Sequence, residues 1–436
     1  MISQCGETVS ISPDELQGLV IQALEAALER RGVSAPLAGK RVLLLPPDHT
    51  RLYSMAGPIT AQAFGWLQER GVLVDVMPTL GTHNAMKEEQ LRMMFGDSIP
   101  LDCFKVHDWR EDVVRVGEIP GELLATLSQG RVDYAVDVEV SKRLFEGYDL
   151  IVSIGQVVPH EVVGMANYTK NIVVGAGGSD LINKSHFLGA VSNMEKVLGR
   201  TDSPVRRLLN YAADTFLGAL PIEYMLTVME QDGSTSEIQM RGFFAGDGAA
   251  AYEEACALSR RVNITLLDRE PAKVVVYLDP LEFQSTWLGN KAVYRTRMAI
   301  ADGGELIVLA PALKEFGEDP TIDQLIRRFG YKGTAATLQA VEGHEALRAN
   351  LGAAAHLIHG SSEGRFSITY CPGDEGLSCD EIRSVGFEAV PYREMIVRYN
   401  PEQLQEGYNT LPDGEEVFYI SNPALGLWAF EDKFQV

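Results

Sequence analysis

The feature that most constrains this chain is an alternation. Short, unbroken apolar runs recur between stretches of helical spacing. The runs are Arg41-Val-Leu-Leu-Leu45, Val72–Met77 and Leu150–Ile154, then Ala272–Leu278 and Glu305–Ala310. Between them lie amphipathic segments. In Pro13–Arg31 the residues Leu16, Leu19, Val20, Leu24 and Leu28 form one stripe; Ser12 with Glu15 fits a capping box, and Pro13 suits the first helical position. Pro58–Glu69 and Ser203–Phe216 read the same way. A strand that is apolar on both faces must be covered on both faces, which is the situation of a parallel sheet between helices. The expectation is therefore an α/β fold.

A break is expected near residue 270. Asp268-Arg-Glu-Pro271 is polar and ends in proline, and a new buried strand begins directly after it. With Asn290–Ala301 as a helix and Asp302-Gly-Gly304 as a turn, residues 272–310 read as one right-handed βαβ unit. At 436 residues the chain has room for two or three domains. The division expected is an N-terminal domain over 1–270 and a C-terminal domain over 271–436. Each would have a mainly parallel sheet flanked by helices, with the active site in the cleft between them. The chain carries 60 acidic and 38 basic side chains, a formal charge of −22. That field opposes nucleic acid and anionic lipid, so neither is expected as a partner. The five cysteines include no CxxC, and reduced thiols are expected. The opening MISQCGETVS lacks the basic and apolar regions of a signal peptide, and no stretch approaches the ~18 apolar residues of a membrane span. The expected compartment is the cytoplasm.

In parallel α/β sheets, reactive groups collect just beyond the carboxyl ends of strands. Four polar clusters stand there: Asp48-His-Thr-Arg51, Gly81-Thr-His-Asn84, Pro159-His160 with Lys170 and later His186, and His107-Asp108 after an apolar Cys103–Val106 run. Taken singly, each has an ordinary reading. Asp48 and Arg51 can be a loop ion pair, Lys170 a surface lysine, and His107 a structural brace, which is the reading favoured for that residue. Together they can support metal ligation, acid–base catalysis or a covalent lysine link. The sequence contains no HExxH, GxSxG or Walker A motif, and Gly175-Ala-Gly-Gly178 lacks the spacing of a dinucleotide fingerprint. Periodicity leaves these three chemistries open.

The ordered set Asp48-His-Thr-Arg51, Gly81-Thr-His83, Pro159-His160, Lys170 and His186 resembles the nickel-pincer lactate racemase family. The intervals from His160 to Lys170 and from Lys170 to His186, ten and sixteen residues, are similar to that family's. Lys291, twelve residues before Gly303, falls where the family has a substrate-facing lysine. The resemblance implies a two-domain enzyme with nickel held in a pincer nucleotide, a pyridinium-3-thioamide-5-thiocarboxylic acid mononucleotide covalently attached to lysine. Lys170 would carry the tether and His186 would be the protein's nickel ligand. His83 and His160 would be the acid–base pair, Arg51 and Lys291 would hold a small-molecule carboxylate, and Asp48, Thr50 and Thr82 would contact the cofactor. The activity implied is racemisation or epimerisation of a 2-hydroxy acid by transient hydride removal through a 2-keto acid. Cofactor-biosynthesis enzymes are implied as partners.

The sequence departs from the family where pocket walls are expected. Asn84 follows His83 in place of arginine, and Leu52 follows Arg51 in place of proline. Met165-Ala-Asn-Tyr-Thr169 replaces a glycine-rich stretch, and Trp287-Leu-Gly-Asn290 precedes Lys291. Asn84, Asn167, Tyr168, Trp287 and Asn290 offer more hydrogen-bonding groups than a methyl group needs. The expected substrate is therefore larger and more polar than lactate, such as an aldonate epimerised at C2. The competing readings are an NAD-dependent 2-hydroxy-acid oxidoreductase and a non-catalytic nucleotide- or metal-binding relative.

Overall fold

The computed structural model describes residues 1–231, 238–424 and 426–434. The chain forms two compact units, Met1–Ser185 with Leu198–Asn263, and His186–Val197 with Ile264–Val436.

In the first unit a six-stranded sheet runs in the order Ile2–Cys5, Ile238–Gly246, Ile222–Gln231, Leu150–Gln156, Arg41–Leu45, Leu73–Val76. The last four strands are mutually parallel, and the first two are antiparallel additions at one edge. Val42 sits opposite both Val74 and Leu150, so three apolar runs are stacked in register. The helix Pro13–Arg30 forms as its pattern requires: Ser12 and Glu15 close a reciprocal capping box, and Leu16, Val20 and Leu24 are almost wholly buried. Each such side chain contributes about 1.5–3 kcal/mol on burial. One apolar run does not become a strand. Leu101–Cys103 is a short 3-10 turn, and Phe104 makes only a single bridge to Val76. The run is too short to pair further, and Lys105 N already donates to Val76 O at 2.8 Å.

The second unit holds a six-stranded sheet in the order Glu388–Ala389, Ser367–Pro372, Glu305–Ala310, Lys273–Tyr277, Glu416–Ile420, Gly407–Thr410. All neighbours are parallel except the last pair. The helix expected over 290–301 is broken into Thr286–Gly289, capped by Ser285, and Lys291–Thr296. Asn290 at the joint is fully buried. It accepts from Tyr370 OH at 2.7 Å and lies 3.3 Å from His356 Nε2, so tertiary bonds override the local pattern. Residues 186–197 belong to this unit for a visible reason: Glu195 binds Arg297 Nε at 3.1 Å and Arg365 at 2.5 Å.

Candidate active site

Three segments of the first unit build the site. Asp48 follows the Arg41–Leu45 strand and caps the turn His49–Ser54. Its Oδ1 accepts from Thr50 N at 3.1 Å and Thr50 Oγ1 at 2.5 Å. Its Oδ2 lies 2.5 Å from His83 Nδ1. A carboxylate only accepts, so Nδ1 of His83 carries a proton, and in the neutral ring Nε2 keeps its lone pair. The His83 side chain is 51% exposed, so that lone pair is accessible to a ligand. Burial pushes the Asp48 carboxyl up, but the hydrogen bonds and charge of His83, with Thr50, outweigh it and hold its pKa below the usual value. The loop bearing His83 leaves the sheet through Gly81, at φ +56, whose N donates to Gly175 O at 2.8 Å.

His160 sits on a small hairpin, Pro159–His160 paired with Gly164–Met165, and is 7% exposed. Its Nδ1 accepts from Val162 N at 3.1 Å. In the neutral ring the proton therefore lies on Nε2. In their neutral forms the two histidines are therefore opposite tautomers, His83 with its lone pair on Nε2 and His160 with an Nε2–H.

Lys170 is the second residue of the helix Thr169–Val173. Its pKa is lowered to about 8, first because burial strips water from the ammonium, then because Arg51 repels it; Glu161, Arg206 and Asp48 also act on it. The Asp48–Arg51 turn, the His160 hairpin and Lys170 thus share one electrostatic neighbourhood. Asn171, one residue on, ties it to the sheet, donating to Leu45 O at 3.1 Å and Ser153 Oγ at 2.8 Å and accepting from Thr79 Oγ1 at 2.7 Å.

The other expected residues fall as follows. Thr82 and Asn84 are exposed on the His83 loop. Tyr168 is buried between Tyr224 and Tyr252, with ring centroids 4.6 and 4.9 Å away, so its ring is engaged in packing. Asn167 spends its side-chain oxygen on Tyr168 N at 2.8 Å. His186 lies on the helix Ser179–Val191, where the chain passes from the first unit to the second. In the second unit Lys291 lies 3.7 Å from Glu282 and 5.3 Å from the Phe283 ring centre, and Trp287 packs on His356 at 4.4 Å. His107 is buried with Nε2 3.0 Å from Gly177 O, and burial lowers its pKa. Those are the contacts of a brace.

Sequence reasoning missed Arg206, which is 2% exposed and bonded to the turn before Lys170. A signal was present: it lies three residues before Leu209 on the apolar face of an amphipathic helix. Among the described residues no three His, Cys, Asp or Glu side chains gather as metal ligands. Nickel at His186 would need donors carried by a bound group, as a pincer supplies. A desolvated lysine suits acyl attachment of such a group, so the residues present fit it.

The fold and this cluster define a two-unit α/β protein with a desolvated lysine in the electrostatic reach of Arg51, Glu161, Arg206 and Asp48. A model of the lactate racemase N-terminal domain family matches residues 5–199. A lactate racemase from Thermoanaerobacterium thermosaccharolyticum is 24% identical over 305 residues, covering 67% of this chain and 65% of that protein. A crystal structure of a protein from Thermotoga maritima superposes with a TM-score of 0.81 at 22% identity, covering 98% of this chain and 100% of that one. The lactate racemase apoprotein from T. thermosaccharolyticum superposes with a TM-score of 0.68 at 16% identity, covering 96% of this chain and 93% of that one. These structural likenesses establish the shared fold. Residues 5–199 of the chain thus correspond to a lactate racemase N-terminal domain.

Proposed function

We propose that the protein is an isomerase that racemises or epimerises a 2-hydroxy acid with a lysine-tethered nickel-pincer nucleotide. The observation that carries this reading is Lys170, an amine whose pKa falls to about 8 beside Arg51 and the Asp48 carboxylate. An ordinary surface lysine is almost fully protonated at neutral pH; this one is available as a nucleophile toward an acyl carbon. When bound, the group supplies a hydride acceptor that the twenty side chains lack.

The remaining steps belong to the chain's own residues. His83, its tautomer held by Asp48, takes the substrate hydroxyl proton on Nε2. His160, as the imidazolium, donates its Nε2 proton to the carbonyl oxygen when the keto carbon is reduced again. Inversion needs both, one as base and the other as imidazolium acid, with the roles exchanged in the reverse direction. Each contributes about 10²–10⁴-fold. The Arg51 guanidinium is suited to grip the carboxylate in two parallel hydrogen bonds, with Lys291 as a second cation. His186 would give nickel its protein nitrogen, while Thr50 and Thr82 would face the nucleotide phosphate.

With Tyr168, Asn167 and Asn290 engaged in packing, Asn84 and Trp287 are the residues that favour a substrate with hydroxyls beyond C2, an aldonate rather than lactate. The setting proposed is the cytoplasm, beside the enzymes that make the cofactor; among the described residues no helix is long and apolar enough to cross a membrane. Intact mass and nickel content after co-expression with those enzymes test the central claim. The expected result is an adduct of several hundred daltons with nickel, both lost in Lys170→Ala. Protein without adduct or nickel sinks it. Turnover of lactate with no sugar acid accepted sinks the substrate assignment alone.

A further inference from the structure

The turn that presents Lys170 has a shape L-residues resist. Asn167 and Tyr168 are consecutive and both have positive φ, 66 and 59, and neither is glycine. Tyr168 adds ψ −133, far from the ordinary left-handed basin. Such a conformation persists only where its surroundings over-determine it. The surroundings here converge on one side chain. Arg206 donates through one terminal nitrogen to Thr169 Oγ1 at 2.8 Å, and through the other to Met165 O at 2.7 Å and Asn167 O at 3.1 Å. It reaches the first, third and fifth residues of the five that lead into Lys170. Its guanidinium lies 4.5 Å from the Tyr252 ring centre, and Tyr252 OH donates to the same Met165 carbonyl at 3.0 Å. The helix carrying Arg206 is itself tied to the hairpin, since its cap Ser203 donates to Val163 O at 2.9 Å.

The electrostatics of Arg206 are equally unusual. It is 2% exposed, and among the described residues no carboxylate stands within ion-pair distance of it. A buried cation without a counter-ion is costly, and fold stability alone gives no reason to keep one. Its charge acts on Lys170 in the direction that lowers the lysine's pKa, behind burial and Arg51. Hydrogen bonds to the turn and repulsion of the amine's proton come from the same group.

We infer that Arg206 is a positioning residue for Lys170, clamping the strained turn so that the amine is both aimed and kept reactive. The inference rests on the reading of Lys170 as the attachment site only for its purpose. Its test needs no cofactor, substrate or turnover, so it succeeds or fails separately.

The full chain, without cofactor, is acetylated with trace acetic anhydride across a pH series, and Lys170 is read by peptide mass spectrometry. In the wild type the labelling midpoint is expected at about 8. In Arg206→Met it is expected to rise by a unit or more, which at pH 8 means about fivefold less labelling. Arg206→Lys keeps the cation and is expected to hold the midpoint within about half a unit. It cannot reproduce three directed bonds, so its labelling rate above the midpoint should change. A purely structural role would send both variants to the midpoint of a solvated lysine together. Thr169→Val removes one clamp bond and no charge, and covers the case in which Arg206→Met fails to fold. It is expected to alter the labelling rate at least twofold with the midpoint in place. Wild-type midpoint and rate in Arg206→Met overturn the inference, as does an unchanged rate in Thr169→Val when Arg206→Met does not fold.

Discussion

At the scale of single residues, proton placement carries the proposed chemistry. Asp48 is held ionised by His83 and Thr50 against the pull of its own burial. Its replacement by asparagine keeps the shape and removes the charge that fixes the His83 tautomer. Asp48→Asn is expected to lower the turnover number about 10²–10⁴-fold, measured on holoenzyme of matched nickel content. The stability effect has a definite sign. A carboxyl with a lowered folded pKa stabilises above its unfolded value of about 3.9 and loses that contribution as pH falls through the folded pKa. Denaturant melts of the wild type and Asp48→Asn should therefore converge below about pH 4. The Lys170 pKa is lowered too, so its contribution also rises with pH, in a higher window. Its folded pKa of about 8 lies below the ordinary lysine value. The unfolded chain holds that proton more tightly, so the Lys170 contribution to stability rises from pH 8 to about 10.4 and is smallest below 8. For attachment this means a rate that climbs about tenfold per unit up to pH 8 and then levels. Time courses of adduct mass at fixed cofactor concentration measure it, and a rate flat from pH 6 to 9 would contradict the assignment of Lys170 as nucleophile.

At the scale of elements, the turns around the site depend on glycine in a few places. Gly155, in the central strand, has φ +151, and an added Cβ would stand 2.4 Å from Asn167 Nδ2. Gly155→Ala must displace the side chain that supports the turn before Lys170. It is expected to destabilise by about 1–3 kcal/mol and to reduce Lys170 labelling, with melting and acetylation read on the same sample. His107 braces the neighbouring loop through Gly177 O. His107→Ala should cost about 1–3 kcal/mol in urea melts and leave the turnover number within a few-fold. These elements also mark what a sequence can disclose. The Pro13–Arg30 helix was legible because its cap and stripe are local. The strand-end placement of Asp48, His83 and His160 was legible because each stands in the segment that follows an apolar strand. The broken helix at Asn290 was not, since Tyr370 and His356 lie 80 and 66 residues away along the chain. The Arg206 clamp was hidden for the same reason, reaching back 37 to 41 residues to a turn whose backbone no pattern announces. The histidine tautomers depend on hydrogen bonds that only coordinates reveal.

At the scale of the whole molecule, the formal charge of −22 sets a field that the site must locally reverse for a carboxylate. The two effects have different ranges. Arg51 and the other cations of the site act at contact distance, where salt screens weakly, while the bulk field acts over the approach, where a Debye length of about 8–10 Å at physiological ionic strength cuts it off. Raising salt from ~10 to ~150 mM should therefore remove more repulsion than attraction. The kcat/KM for an anionic hydroxy acid is expected to rise about two- to fivefold over that range, carried by KM, with the turnover number unchanged, because the chemistry happens inside the screened site. For a neutral ester of the same acid the salt dependence should vanish. Initial rates at matched holoenzyme concentration, with sodium chloride as the only variable, measure both. A fall in kcat/KM with salt would mean that a positive local field extends beyond the site and steers the substrate in. The mean charge of the chain would then say nothing about how its ligand arrives.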